Sequence, residues 1–312
     1  MKTVLRRTLK ALVYLMGFAF LLAVAFYAWL VIANWSDDPL SAEAQQALQY
    51  TLPIEEQLHD NGFLIIYGLD ALFGADDKDA VTPAISLGRQ RIARELERHA
   101  WVQANPAATE GMPSPIDGAK GEGAPLLCAL RCPAGAADCF AWYQQKRTDI
   151  EAQIAHYQPL LQRVYAAASA RKFSNPLPFY LYTDLPRYTW LVRTQELDLA
   201  LAALQWVDGA PEKAVTTVAQ TSLLRMRLAE SSNSLLTSMI ALALQYRELH
   251  WLSNAVSRIT PQTPKSVTTA INNMLTAAAP NLGSAIEGEK QFTAGVYASL
   301  QGASYSNLAL SE

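Results

Sequence analysis

Three cysteines, Cys128, Cys132 and Cys139, fall within one twelve-residue window. The chemistry open to three neighbouring thiols is one disulfide and one free thiol. Cys128 with Cys139 is the expected pair, because the stretch from Pro133 to Ala137 can turn and close the loop between them, whereas Cys128 with Cys132 needs a tighter bend. A metal centre fits less well. The C-x3-C-x6-C spacing lacks the paired C-x2-C knuckles of a structural zinc site, and no histidine comes near before His156.

Other chemistry-bearing residues are scattered. Asp76, Asp77 and Asp79 around Lys78 suggest a calcium loop, but the D-x-D-x-D-G order and the distal glutamate are missing, so a solvated tip is expected. His59, His99, His156 and His250 lie far apart, each in a helical context that points to a structural or surface role. Glu151 with His156, and Glu248 with His250, are wrongly spaced to share a helix face. Glu196 with Asp198, and Glu287 with Glu289, have the same weakness. There is no G-x-S-x-G elbow, H-E-x-x-H, phosphate-binding loop or G-x-G-x-x-G. No catalytic, cofactor-binding or metal-ligating set is therefore expected, and convergence of distant residues is the one route left to an active site.

The element that organises these residues is the run from Ala11 to Ala33, twenty-three residues without a charge, long enough to cross a bilayer as a helix. Lys2, Arg6, Arg7 and Lys10 precede it and Asp37 and Asp38 follow, so the positive-inside rule predicts a cytoplasmic N-terminus. A cleaved signal peptide would have a shorter apolar core and a small-x-small site, so an uncleaved signal anchor is expected. Beyond the tip, 21 basic residues face 28 acidic ones, a formal charge of −7, which argues against a nucleic-acid partner.

Five regions follow: a basic tip at 1–10, the anchor at 11–33, a helical region at 34–105, a Pro/Gly-rich loop with the cysteine window at 106–137, and a helical bundle at 138–312. Asn61-Gly62 reads as a turn before the ambiguous apolar run Phe63 to Ile66. Thr82-Pro83 opens a helix that ends at Asn105-Pro106, its many charges forming a salt-bridged wet face. Pro106 to Pro125 is long enough for an irregular stretch to draw attention. Asp138 caps a long helical pattern reaching about Lys172, which Pro159 must kink or divide. The 174–187 stretch is extended, aromatic and too rich in proline for a central strand.

Helix 189–207 is apolar nearly all round and must be buried. The next helix carries a stripe of Val215, Val218, Ser222 and Met226, and the one after it a stripe of Leu235, Met239, Leu242, Tyr246 and Leu249. Short turns between these three predict antiparallel packing, with the hairpin through Gly209 resembling one tetratricopeptide-type unit. Two last helices are expected near 266–279 and 282–303. The fold class is thus all-α: one transmembrane helix, then an irregular multi-helix bundle with a hairpin-like C-terminal part.

The basic tip and anchor, Asn61-Gly62 through Gly68-Leu69-Asp70 with Gly88-Arg89, the Asp138-Cys139 pair and the Leu235-to-Ala241 helix together resemble a group of uncharacterised proteobacterial envelope proteins. That resemblance implies a single-pass inner-membrane location with the bulk of the chain periplasmic, and no activity. Proteins of that group run longer, which implies a missing C-terminal portion. The functional expectation is a membrane-anchored periplasmic scaffold or adaptor binding another envelope protein. The alternative is a membrane-tethered enzyme or small-ligand-binding protein acting on envelope material, with the Pro106 to Pro125 loop as a lid.

Overall fold

The computed structural model describes residues 17, 20–29, 58–72, 79–105, 110–116, 130–133, 136, 138–177, 183–231 and 234–276, together with 283, 285–286, 289–290 and 292–293. The chain divides into two compact units, Met1–Gln46 and Ala47–Glu312. In the first, residues 20–29 are helical and exposed. In the second, the described elements are helices: α1 (Gly62–Tyr67), α2 (Val81–Ala104), α3 (Cys139–Gln145), α4 (Arg147–His156), α5 (Gln158–Ser169), α6 (Tyr188–Val207), α7 (Pro211–Glu230), α8 (Leu235–Val256) and α9 (Lys265–Thr276).

The all-α class and the irregular bundle hold, but the transmembrane element needs correction. Among the described residues no helix is long and apolar enough to cross a membrane. The signal anchor over 11–33, the single-pass inner-membrane topology with a cytoplasmic tip, and the periplasmic placement of the bulk are therefore not supported. The anchored scaffold for an envelope partner and the tethered enzyme or binder of envelope material rested on that anchor and fall with it. The expected helix over 42–50, Cys128 and Asp76 to Lys78 lie outside the described residues.

Local chemistry explains where the helices start. Asn61 is the N-cap of α1 rather than a turn residue: its side-chain oxygen accepts from Phe63 N at 3.0 Å. The same side chain donates to the Ser174 carbonyl at 2.9 Å, and a single parallel bridge pairs Asn61 with Lys172, so α1 is stitched to the chain leaving α5. The apolar run Phe63 to Ile66 is a helical turn, buried throughout. Asp79 accepts from Val81 N and Thr82 N at the start of α2, and those Thr82 contacts hold its carboxyl below the usual range.

Where α1 and α2 cross, the backbones are almost in contact. A Cβ on Gly88 would lie 1.9 Å from the Leu64 carbonyl oxygen, and one on Gly68 1.9 Å from that of Ala84. Only glycine permits that approach. The charged face of α2 is wet only in part: Arg89, Arg94 and Glu97 stay at the surface, Arg94 bridging to Glu97, whereas Arg91, Glu95 and Arg98 are buried. Arg91 forks onto Asp70, with Nη2 3.0 Å from Oδ2, and Arg98 pairs with Glu95, whose other oxygen accepts from Asp184 N.

The pattern after Asp138 forms three helices instead of one long one. Breaks fall at Lys146 and Tyr157, and Pro159 sits in the first turn of α5, where its missing N–H costs nothing. From α5 the fully buried Arg163 donates to the carbonyls of Leu69, Ala71, Leu72 and Ala80 at 2.6–3.3 Å. It thereby holds both ends of the connection between α1 and α2. Helix α6 lies at the centre, packed against α3, α4, α5, α7 and α8. It turns into α7 through Asp208-Gly209-Ala210, with Gly209 at φ 78°.

Helix α8 turns its stripe the opposite way from the sequence expectation. Leu235, Met239, Leu242, Tyr246 and Leu249 are exposed, and the buried side carries Thr237, Ser238, Ala241, Leu244, Glu248, Trp251, Leu252 and Ala255. Polar side chains are tolerated there because they are partnered. Glu248 accepts from Arg225 Nε at 2.9 Å, Ser222 at 3.0 Å and Gln195 at 3.1 Å. Burial pushes the Glu248 carboxyl up, and Arg225 opposes the shift.

Candidate functional site

The cysteine window is where helices α3, α6 and α8 meet. Asp138 caps α3 as expected, accepting from Phe140 N at 2.9 Å and Ala141 N at 3.1 Å. Its second oxygen pairs with Arg258, the main cause holding this carboxyl below its ordinary range. Asn254 accepts from Cys139 N at 3.3 Å, and the Arg258 guanidinium lies 5.0 Å over the Phe140 ring. The start of α3 is thus clamped to the end of α8.

The disulfide joins Cys132 to Cys139, with the two Cα atoms 5.5 Å apart. This corrects the expected Cys128–Cys139 pair. The turn begins at Pro133, whose carbonyl accepts from Ala136 N at 3.0 Å, and so it closes the shorter loop that starts at Cys132. Both sulfurs are buried, and Tyr143 donates to the Leu130 carbonyl at 3.3 Å, fixing the strap 130–133 against α3.

Beneath this strap is a cavity of about 260 Å³, roofed by Leu130, Arg131 and the disulfide, with Phe140 and Tyr143 from α3, Glu196 and Leu199 from α6, and Tyr246, Arg247, His250 and Trp251 from α8. At roughly 30 Å³ per water, it has room for a ligand of about nine to a dozen non-hydrogen atoms. Phe140, Trp206 and Trp251 form an aromatic cluster at one side, with ring centroids 5.3–6.2 Å apart.

The charges of the cavity are unequal. Glu196 is the one carboxylate among the described lining residues, and Arg193 already donates to it at 2.7 Å from outside the lining. Arg247 Nη1 is satisfied by the Ala243 carbonyl at 3.1 Å. Its Nε lies 3.5 Å from Glu196, near enough for attraction, but has no hydrogen-bond acceptor. The buried Trp251 Nε1 also has none. Arg131 adds a second positive charge, and His250 Nδ1 sits 4.0 Å from Cys139 Sγ. Two guanidinium groups against one carboxylate, beside an aromatic wall, suit an anion with an apolar body.

The same lining is poor in groups that do covalent work. The sulfurs are bonded to each other, and burial pushes the Tyr143 phenol up to about 12, so it stays protonated at neutral pH. Of the four histidines only His250 reaches the cavity. His59 is exposed beside Asp60, His99 is half-buried with its pKa lowered by burial, and His156 packs edge-on to Tyr157. Glu196 and Asp198 do not converge: Asp198 is fully buried and paired with Tyr165. Glu248 and His250 point apart, one into the core and one to the surface. Glu289 accepts from Leu235 N at 2.9 Å, and Glu287 lies outside the described residues.

Comparison with protein-family models, curated proteins and solved structures finds no match to this chain. The resemblance to single-pass proteobacterial envelope proteins is not supported, because no helix among the described residues is long and apolar enough to cross a membrane. Its motifs serve other ends here: Asn61 is a helix cap, Gly68 and Gly88 are a backbone crossing, and Asp138-Cys139 is the start of α3.

Proposed function

We propose that the helical domain is a binding protein for a small organic anion, a carboxylate or sulfonate on an aromatic or similarly apolar body, held between α3, α6 and α8. The observation that carries this reading is Arg247. It lines an aromatic cavity together with Arg131, and Glu196, the one carboxylate among the described lining residues, is already countered by Arg193. An anion is then the ligand that balances the surplus positive charge of the lining. The strap held by the disulfide gives the cavity a preformed roof, which lowers the ordering cost of binding.

Calorimetric titration with benzoate and phenylacetate, each against its neutral amide, tests this directly. The carboxylates are expected to bind at least tenfold more tightly than the amides. Arg247→Gln is expected to weaken carboxylate binding by roughly 10- to 100-fold, the scale of a hydrogen bond to a charged group. Equal affinity for acid and amide, or binding indifferent to Arg247→Gln, would refute the proposal.

A further inference from the structure

The exposed stripe of α8 repeats at alternating steps of four and three residues through Leu235, Met239, Leu242, Tyr246, Leu249 and, after Ser253, Val256. Those six apolar residues are 42, 63, 43, 65, 42 and 45 % exposed. A step alternating between four and three is the seam of a coiled coil, in which apolar side chains meet those of a second helix. On a helix whose other face already lies in its own core, the seam has no internal partner among the described residues.

We propose that this seam is the interface with a second copy of the chain, the two α8 helices packing antiparallel about a two-fold axis near Leu244. The register follows from the spacing. It sets Met239 against Leu249 of the second copy and Leu242 against its Tyr246, with the reciprocal pairs generated by symmetry. Leu235 then meets Ser253 at each end. From Leu235 to Tyr246 no Asp, Glu, Lys or Arg occurs, so the register opposes no like charges.

The size is also appropriate. These six residues expose the equivalent of about three whole large side chains, on the order of 500 Å² at 150–250 Å² each, most of the roughly 800 Å² a standard interface takes from each partner. Other occupants fit less well. A lipid surface selects helices with Lys or Arg beside the apolar face, and the polar face of α8 is packed into the core around Glu248. Among the described residues the C-terminal segment bonds to α8 at its start, where Glu289 caps Leu235 N. Tyr246 belongs both to the seam and to the cavity lining, so the second copy would bear on the wall of the ligand site.

Sedimentation velocity on the full chain, from about 1 to 100 µM, tests the interface. The native chain is expected to be a dimer and Met239→Glu a monomer with an unchanged far-ultraviolet circular dichroism spectrum, its dimer dissociation constant raised at least about a hundredfold. In a Cys128→Ser background, oxidising a mixture of Met239→Cys and Leu249→Cys chains is expected to yield the mixed cross-link, which reads the register without an added charge. A native chain that stays monomeric at about 100 µM overturns the proposal. So does a dimer indifferent to Met239→Glu, or cross-linking of Met239→Cys only to itself.

Discussion

Replacing Asp198 with asparagine should remove this residue's share of the pH dependence of stability. Asp198 has no exposed surface, Tyr165 donates to one of its oxygens, and the other has no hydrogen-bond partner. Burial raises its pKa from 3.8 to about 7, against which the Tyr165 hydrogen bond works. Below the unfolded value near 3.9 both states carry the proton and the full contribution is present. Between there and about 7 the native state keeps a proton that the unfolded chain releases, so stability falls as pH rises. The slope is about 1.4 kcal/mol per pH unit, and over about three units the loss approaches 4 kcal/mol. Asparagine keeps the acceptor for Tyr165 but places an NH2 where Oδ2 has no partner, at a cost of about 1–3 kcal/mol at every pH. Asp198→Asn should therefore be the less stable protein at pH 4 and the more stable one at pH 8. Urea denaturation of both proteins across that range, with coincident transitions by fluorescence and circular dichroism, measures the difference. A difference in stability that stays constant with pH would show that Asp198 is ionised in the fold throughout, and the argument would fail.

Gly88→Ala should destabilise by about 3 kcal/mol or more, because its Cβ meets the Leu64 backbone at 1.9 Å and no flexible side chain can give way; a change in urea midpoint worth under about 1 kcal/mol would contradict the close crossing. Arg163→Met removes the donor to four carbonyls on residues 69–80 and should cost about 4 kcal/mol. Limited proteolysis should then cut that connection first, and a cleavage pattern unchanged from the native chain would contradict the clamp.

How much of this was legible in the sequence depended on whether a feature is local. Helix starts are local, so Thr82-Pro83, Asp138 and the Asp208-to-Pro211 turn are readable as such, and the bundle class follows from helical periodicity. Asn61-Gly62 misleads because the same dipeptide serves as turn or cap, and its partner Ser174 is remote in sequence. Periodicity shows that α8 has an apolar stripe but not which way it faces. The direction depends on Arg225, Ser222 and Gln195 arriving from α6 and α7 to satisfy Glu248. The charges of α2 look like a wet surface for the same reason, since Asp70 and Asp184, which draw Arg91 and Glu95 inward, lie outside that helix.

The run of apolar residues over 11–33 suggests a span by composition alone, and no helix among the described residues is long and apolar enough to cross a membrane. The ligand site was the least legible feature. Its residues come from a strap and three helices spread over 130–251, and none belongs to a motif. The one usable signal was the cysteine window, which marks the strap but not the Arg247 and Trp251 that lie beneath it.

The measurement that bears most directly on the ligand site is anomalous diffraction from a crystal grown with para-bromobenzoate. The bromine is predicted within the aromatic side of the cavity, against Phe140 and Trp251, with the carboxylate toward Arg247 and Arg131. Bromine found only along the exposed stripe of α8, or nowhere in the molecule, would contradict the account.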